Sequence, residues 1–219
     1  MNRSVTAALA GIAVGFATSP ADGQTLVPSS SDRFAWTESA GLLNLRPDSE
    51  DPDAGVAVFV THMRGFAWSE GFGWVSFGRG PANGEAYGNT VGEDFGVNVL
   101  SDGRLEGFAW IESAGWINVG PLANDEVPAA RIDYDALRLR GWAWGQAIGW
   151  VNLDDDEVFI ALTPTCPPDI NFDGAVTPGD FNAWLIAFHR GSAICDQNGD
   201  GVCTPGDFNA WVLNYGAGC

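Results

Sequence analysis

Across residues 24–163 apolar and polar positions alternate in short runs, and the alternation is itself repeated. Four copies stand out: FAWTESAGLLNL (34–45), FAWSEGFGWVSF (66–77), FAWIESAGWINV (108–119) and WAWGQAIGWVNL (142–153). Their Trp36, Trp68, Trp110 and Trp144 are spaced by 32, 42 and 34 residues, the variation falling in connectors rich in Gly, Pro and Asp. Further alternating runs precede copies two to four, at 56–61, 97–100 and 132–134. A period of two, punctuated by turn residues, predicts a unit of strand, turn, strand, turn, strand. SDGR (101–104) and the E-x-x-G segments are the turns, with Gly accommodating positive φ.

Alternation also sorts the middle strand into faces. Phe66/Trp68, Phe108/Trp110 and Trp142/Trp144 share one face; Met63/Gly65/Ala67, Leu105/Gly107/Ala109 and Leu139/Gly141/Ala143 share the other. The Gly-Ala column leaves room for a neighbouring backbone to approach closely. The aromatic column must fill a core or form an exposed platform. A small β domain has to bury something large, which favours the core. Copy one lacks a preceding strand, whereas a spare apolar run, 158–162, follows copy four. If that run completes the first unit, the domain closes on itself as propellers and barrels do.

Beyond residue 163 the period changes. Residues 169–180 (DINFDGAVTPGD) and 196–207 (DQNGDGVCTPGD) each place acceptor oxygens at loop positions 1, 3, 5 and 12, with Gly at position 6 for a sharp turn. Calcium takes six to eight hard oxygen ligands, and this spacing wraps the chain around such an ion. The candidate ligands of one site are Asp169, Asn171, Asp173, the Ala175 carbonyl, Thr177 through water, and Asp180. Those of the other are Asp196, Asn198, Asp200, the Val202 carbonyl, Thr204 through water, and Asp207. Between Cys166 and Cys219 there are six Asp and no Glu, and every Asp falls at position 1, 5 or 12; a merely solvated loop would scatter its charges. Each loop runs into DFNAW, after which Phe181, Trp184, Leu185 and Phe188, and again Phe208, Trp211, Val212 and Tyr215, recur at helical spacing. Neither helix buries its stripe alone, so the two should pack around a small aromatic core stapled by metal and disulfides. All four Cys (Cys166, Cys195, Cys203, Cys219) lie here. Three pairings are open. Cys166–Cys219 is favoured because these two bracket the duplicated unit, leaving Cys195–Cys203. The spacing also admits a zinc site or free thiols, but no His accompanies the four.

The tandem loop-helix units at 166–219 resemble the type I dockerin domain, in the variant that ends with Gly218-Cys219. The resemblance implies two Ca2+ ions and an anchoring partner, a cohesin-like or cell-surface protein. Loop positions 10 and 11, often a Ser/Thr pair that contacts cohesin, are here Pro178-Gly179 and Pro205-Gly206. The calcium positions are kept; the cohesin-contacting pair is not. The four copies upstream are similar to the G-x-A-W-S-E-x-x-G-W-I-N repeats of secreted bacterial proteins, which carry no settled activity. The expected fold class is a mainly β repeat domain of four short-strand units at 24–163, propeller- or barrel-like if closed, followed by a small α-helical dockerin at 164–219.

Composition narrows the function. The formal charge is −18, from 10 basic and 28 acidic residues, and all ten cations are Arg. Such a surface repels phosphate backbones, which argues against nucleic acid. Arg3, the small and apolar stretch 5–16 and the Ala21-Asp22-Gly23 cleavage pattern predict a secretory signal over 1–23, hence an extracellular, surface-associated protein. No second long apolar run predicts a membrane span. The expected function is a non-catalytic display or anchoring protein. The alternative is a carbohydrate-binding module, since Trp rings stack on sugars and repeated sites give avidity; Trp74, Trp116 and Trp150 recur after the turn Gly, with Leu42 in copy one. A glycoside hydrolase would need paired carboxylates. Glu38, Glu70 and Glu112, with Gln146 in copy four, occupy one turn slot in separate units. The acidic run 154–157 reads as a solvated connector, and His62 and His189 as isolated surface residues.

Overall fold

The computed structural model describes residues 25–28, 32–47, 55–82, 84–121 and 127–219; the expected signal at 1–23 lies outside them. The chain opens with β1 (Thr25–Leu26) and a hairpin of β2 (Phe34–Thr37) and β3 (Gly41–Asn44). Next, β4 (Val56–Val58) leads into the hairpin of β5 (Met63–Ser69) and β6 (Gly73–Ser76), and β7 (Val97–Val99) into that of β8 (Leu105–Ile111) and β9 (Gly115–Asn118). The pair β10 (Arg131–Asp133) and β11 (Arg138–Arg140) precedes a fourth hairpin, β12 (Trp142–Gly145) and β13 (Gly149–Asn152); β14 (Thr163–Pro164) pairs back onto β1. Each repeat copy is one hairpin, turned by a Gly in the left-handed region: Gly41, Gly73, Gly115 and Gly149 have φ of +68°, +83°, +85° and +72°.

The four hairpins close into an eight-stranded antiparallel barrel, β2-β3-β5-β6-β8-β9-β12-β13 and back to β2. The registers show how the repeat achieves this. Leu43 faces Ser69, Val75 faces Ile111, Ile117 faces Gly145 and Val151 faces Thr37, so every junction joins the same two repeat positions. At the rim, Ser39 Oγ donates to Ile148 O at 2.8 Å and Ser113 Oγ to Phe72 O at 2.9 Å, tying neighbouring turns together.

An eight-stranded barrel has an interior just wide enough to be filled by side chains. Here Ala35, Ala67, Ala109 and Ala143 point inward opposite Leu43, Val75, Ile117 and Val151, a small residue against a large one at each step, and all eight are buried. The column expected to admit a neighbouring backbone therefore contains the core, and the Trp column expected to fill it faces outward. The physical reason is volume: the opposite choice would turn Trp36, Trp68, Trp74, Trp110, Trp116, Trp144 and Trp150 inward together, far more than a ring of eight strands encloses. The backbone approach is real as well. At Gly65, Gly107 and Gly141, with φ of +108°, +101° and +82°, an added Cβ would overlap the carbonyl oxygen of Gly55, Gly96 or Ala129.

The spare run at 158–162 does complete the first unit. Ile160 bridges Arg33, and Ala161 N donates to Asp32 O at 2.8 Å, beside the start of β2. The acidic run is not simply solvated: Asp154 pairs with Arg138 and Arg140, each at 2.7 Å, and Arg140 also reaches Asp133 at 2.8 Å. His62 is likewise not a surface residue. It is buried, stacked on Phe59 at 4.8 Å between centroids.

After the barrel come α1 (Pro178–Arg190) and α2 (Gly206–Ala217). Disulfides join Cys166 to Cys219 and Cys195 to Cys203, the favoured pairing. A small core forms around Ile170, Trp184, Ala187, Ile194, Cys195 and Trp211. The Phe181 ring lies 5.4 Å from that of Trp211, joining the helices. The α2 stripe is covered only in part, because Phe208 and Val212 remain exposed. The tail rests on the β10–β11 turn: Phe172 stacks on Tyr134 at 4.8 Å, and Ala193 N donates to Asp135 O at 3.0 Å. Among the described residues no helix is long and apolar enough to cross a membrane.

Candidate functional site

The twelve expected ligand residues fall in two loops that adopt the same hydrogen-bonded shape. In the first, Asp169 accepts from the Asp173 and Gly174 amides at 3.2 and 3.0 Å, and Asp173 accepts from Ala175 N at 2.9 Å. In the second, Asp196 accepts from Asp200 and Gly201 at 3.2 and 2.7 Å, and Asp200 from Val202 N at 2.9 Å. The last Asp of each loop closes it. Asp180 Oδ1 accepts from Ile170 and Asn171 N, and Asp207 Oδ1 from Gln197 and Asn198 N. Their Oδ2 atoms accept from Thr177 N and Thr204 N at 2.8 and 2.7 Å. Thr177 and Thr204, expected on sequence to hold a bridging water, are engaged here with the backbone and the closing Asp. Thr177 is the N-cap of α1, with a reciprocal bond to Asp180, and both Oγ1 atoms accept from the Gly two residues on.

The loops carry carboxylate and amide oxygens, the kind of group a hard cation takes, and Gly174 and Gly201 at position 6 hold φ of +79° and +85°, a sharp turn in each loop. Asp169, Asp180 and Asp207 are 2%, 0% and 0% exposed. Burial, helped by the neighbouring Asp180 and Asp173 charges, pushes the Asp169 carboxyl up to about 6 against the opposing Gly174 amide. In the second loop burial also raises Asp207, but the Thr204, Asn198 and Gln197 amides outweigh it and hold this carboxyl below its usual range. Among the described residues no three His, Cys, Asp or Glu side chains are gathered into one cluster, the three Asp of each loop included.

The barrel's outer face is the second candidate. Trp36 and Trp74 are 51% and 57% exposed, and Trp68, Trp116 and Trp144 are exposed too. Within hairpins the rings meet edge-on or tilted: Trp68 and Trp74 at 5.1 Å, Trp110 and Trp116 at 4.4 Å. The alternation had shown that these residues share a face; it could not show that the face was outside. The turn slot of Glu38, Glu70, Glu112 and Gln146 is distributed around one rim, one residue per hairpin, and Glu38 accepts from Trp150 N at 3.2 Å. No family model matches the chain, and neither a curated protein nor a solved structure matches it.

Proposed function

We propose that the chain is an exported, non-catalytic binding protein in which a dockerin-type tail holds two calcium ions and anchors the β-barrel to a cohesin-like or cell-surface partner. The observation that carries this reading is a pair of loops of one hydrogen-bonded shape that bury Asp169, Asp180 and Asp207. Backbone amides offset the burial of Asp207, whereas at Asp169 burial prevails and raises the carboxyl, a cost that a bound cation offsets. Asp169, Asn171, Asp173, Asp180 and the Ala175 carbonyl would hold one ion; Asp196, Asn198, Asp200, Asp207 and the Val202 carbonyl the other. Exposed Ile186, Val212 and Leu213 on the helices leave apolar surface suited to an anchoring partner. Calorimetric titration of the full chain with calcium tests the reading. Two ions should bind, and Asp180→Ala or Asp207→Ala should each remove one. No calcium uptake by the wild-type chain sinks it.

A second reading, carbohydrate binding by the barrel, is favoured by one observation: the Trp column lies on the outside. An exposed indole face is an unusual use of so large an apolar surface unless it meets something.

A further inference from the structure

The four junctions of the barrel are equivalent in register but not in their connectors. The connector between the second and third hairpins is the longest, since Trp68 and Trp110 are 42 residues apart. It folds back as a wall. Tyr87 is its anchor: the ring is buried, and its hydroxyl donates to Met63 O at 2.9 Å and accepts from Gly80 N at 2.7 Å. Asn98 clamps the Tyr87 backbone from both sides, Tyr87 N donating to Oδ1 at 2.8 Å and Nδ2 donating to Tyr87 O at 3.0 Å. Asp94 then braces the far end, accepting from Gly88 N at 2.8 Å.

Between this wall and the outer face of the sheet runs a cleft of about 550 Å3. Its floor carries Phe66, Trp74 and Trp110. Phe95 bounds one side, packed edge-on against Trp116 at 5.1 Å. Arg79, Glu93 and Glu112 line it as well, and none of the three forms a hydrogen bond or ion pair with a described residue. The volume is that of a small-ligand site. Aromatic faces accept the apolar C–H face of a sugar ring, while a guanidinium and two carboxylates offer donors and acceptors to its hydroxyls. The charge decides between sugar classes. A chain at −18, with two carboxylates against one Arg in the cleft, repels acidic polysaccharides.

We propose that this cleft binds a neutral oligosaccharide, one ring stacked on Trp74 and its hydroxyls bonded by Arg79, Glu93 and Glu112. The proposal rests on the carbohydrate reading above and localises it to one junction of the barrel.

The test titrates the full chain with cellohexaose, xylohexaose, mannohexaose and maltohexaose, and with polygalacturonate as the charged control, reading heat and Trp emission. At least one neutral probe should bind. Trp74→Ala and Arg79→Ala should each weaken it by about tenfold or more, with circular dichroism unchanged, while Trp36→Ala, an equally exposed indole away from the cleft, should leave affinity intact. If Trp36→Ala weakens binding as much as Trp74→Ala, the whole aromatic girdle binds and the cleft is refuted, though the carbohydrate reading survives. If polygalacturonate binds and the neutral probes do not, the neutral class is refuted. If no glycan binds, both the cleft and the carbohydrate reading fall.

Discussion

Gly107→Ala against Gly115→Ala separates two costs that the fold places on neighbouring glycines. Both lie in the left-handed half of backbone space, with φ of +101° and +85°. An alanine at either pays the strain of that conformation, about 1–2 kcal/mol. At Gly115 that is the whole cost, because an added Cβ meets nothing within 4 Å. At Gly107 the Cβ would overlap the Gly96 carbonyl oxygen and lie 2.6 Å from Asn89 Nδ2. Relief requires β7 to move away from β8, which breaks the bond from Phe108 N to Gly96 O at 3.1 Å and leaves a donor short of its partner, about 1–3 kcal/mol more. Gly107→Ala should therefore cost about 3–4 kcal/mol and Gly115→Ala about half of that or less. Gly216→Ala, near the end of α2 with open space around it, should be neutral or stabilise by about 0.5 kcal/mol. Urea unfolding followed by circular dichroism reads all three as midpoint shifts. Equal losses at Gly107 and Gly115 would refute the close approach of the preceding strand, and with it the explanation for the glycine that opens FAW.

The remaining predictions concern the tail and the cleft wall. Loop-closure entropy for sequence separations of 53 and 8 residues makes Cys219→Ser cost about 4 kcal/mol of tail stability and Cys203→Ser about 2.6 kcal/mol; the loss of helix signal in denaturant should follow that order. Because the Asp169 carboxyl is raised to about 6 while Asp207 lies below its usual range, protons compete at the first loop sooner, and between neutral pH and about pH 5 a calcium titration should show the first loop's affinity falling about tenfold while the second loop's holds. In the metal-free chain the sign reverses: a raised carboxyl means the folded state holds its proton longer, so stability declines as pH rises from about 4 to about 6. Tyr87 is raised mainly by burial, with Asp94 adding and Gly80 N–H and Arg64 opposing. Its contribution is thus intact below the ordinary phenol range and lost as pH climbs beyond it, so alkaline titration should open the connector, read as faster hydrogen exchange at Gly80 N–H, at a pH where the circular dichroism of the barrel is still unchanged. Tyr87→Phe should cost about 1–3 kcal/mol, since it leaves Gly80 N and Met63 O without their partner.

What could be read from residue order was whatever a single unit determines. The period of two gave the hairpins, the E-x-x-G and SDGR segments gave their turns, and the helical spacing after each DFNAW gave α1 and α2, because strand, turn and helix preferences act over a few neighbouring residues. The loop positions of Asp169 to Asp180 and Asp196 to Asp207 were legible for the same reason: each loop closes on itself through its own amides. The favoured cysteine pairing followed from one further step, that a duplicated unit brings its ends together. What the order of residues could not decide was which face of a strand is inside. Alternation is symmetric, and Ala67 and Trp68 exchange roles under a one-residue change of viewpoint. Only closure broke that symmetry, because eight strands leave an interior that fits Ala opposite Val, Leu or Ile and excludes indole. Tertiary packing outside the ring also stacked His62 on Phe59 and set it edge-on to Tyr87, paired Asp154 with Arg138 and Arg140 across the fourth hairpin and set the long connector against Trp74. Those contacts join side chains through connectors whose paths the period of two does not specify.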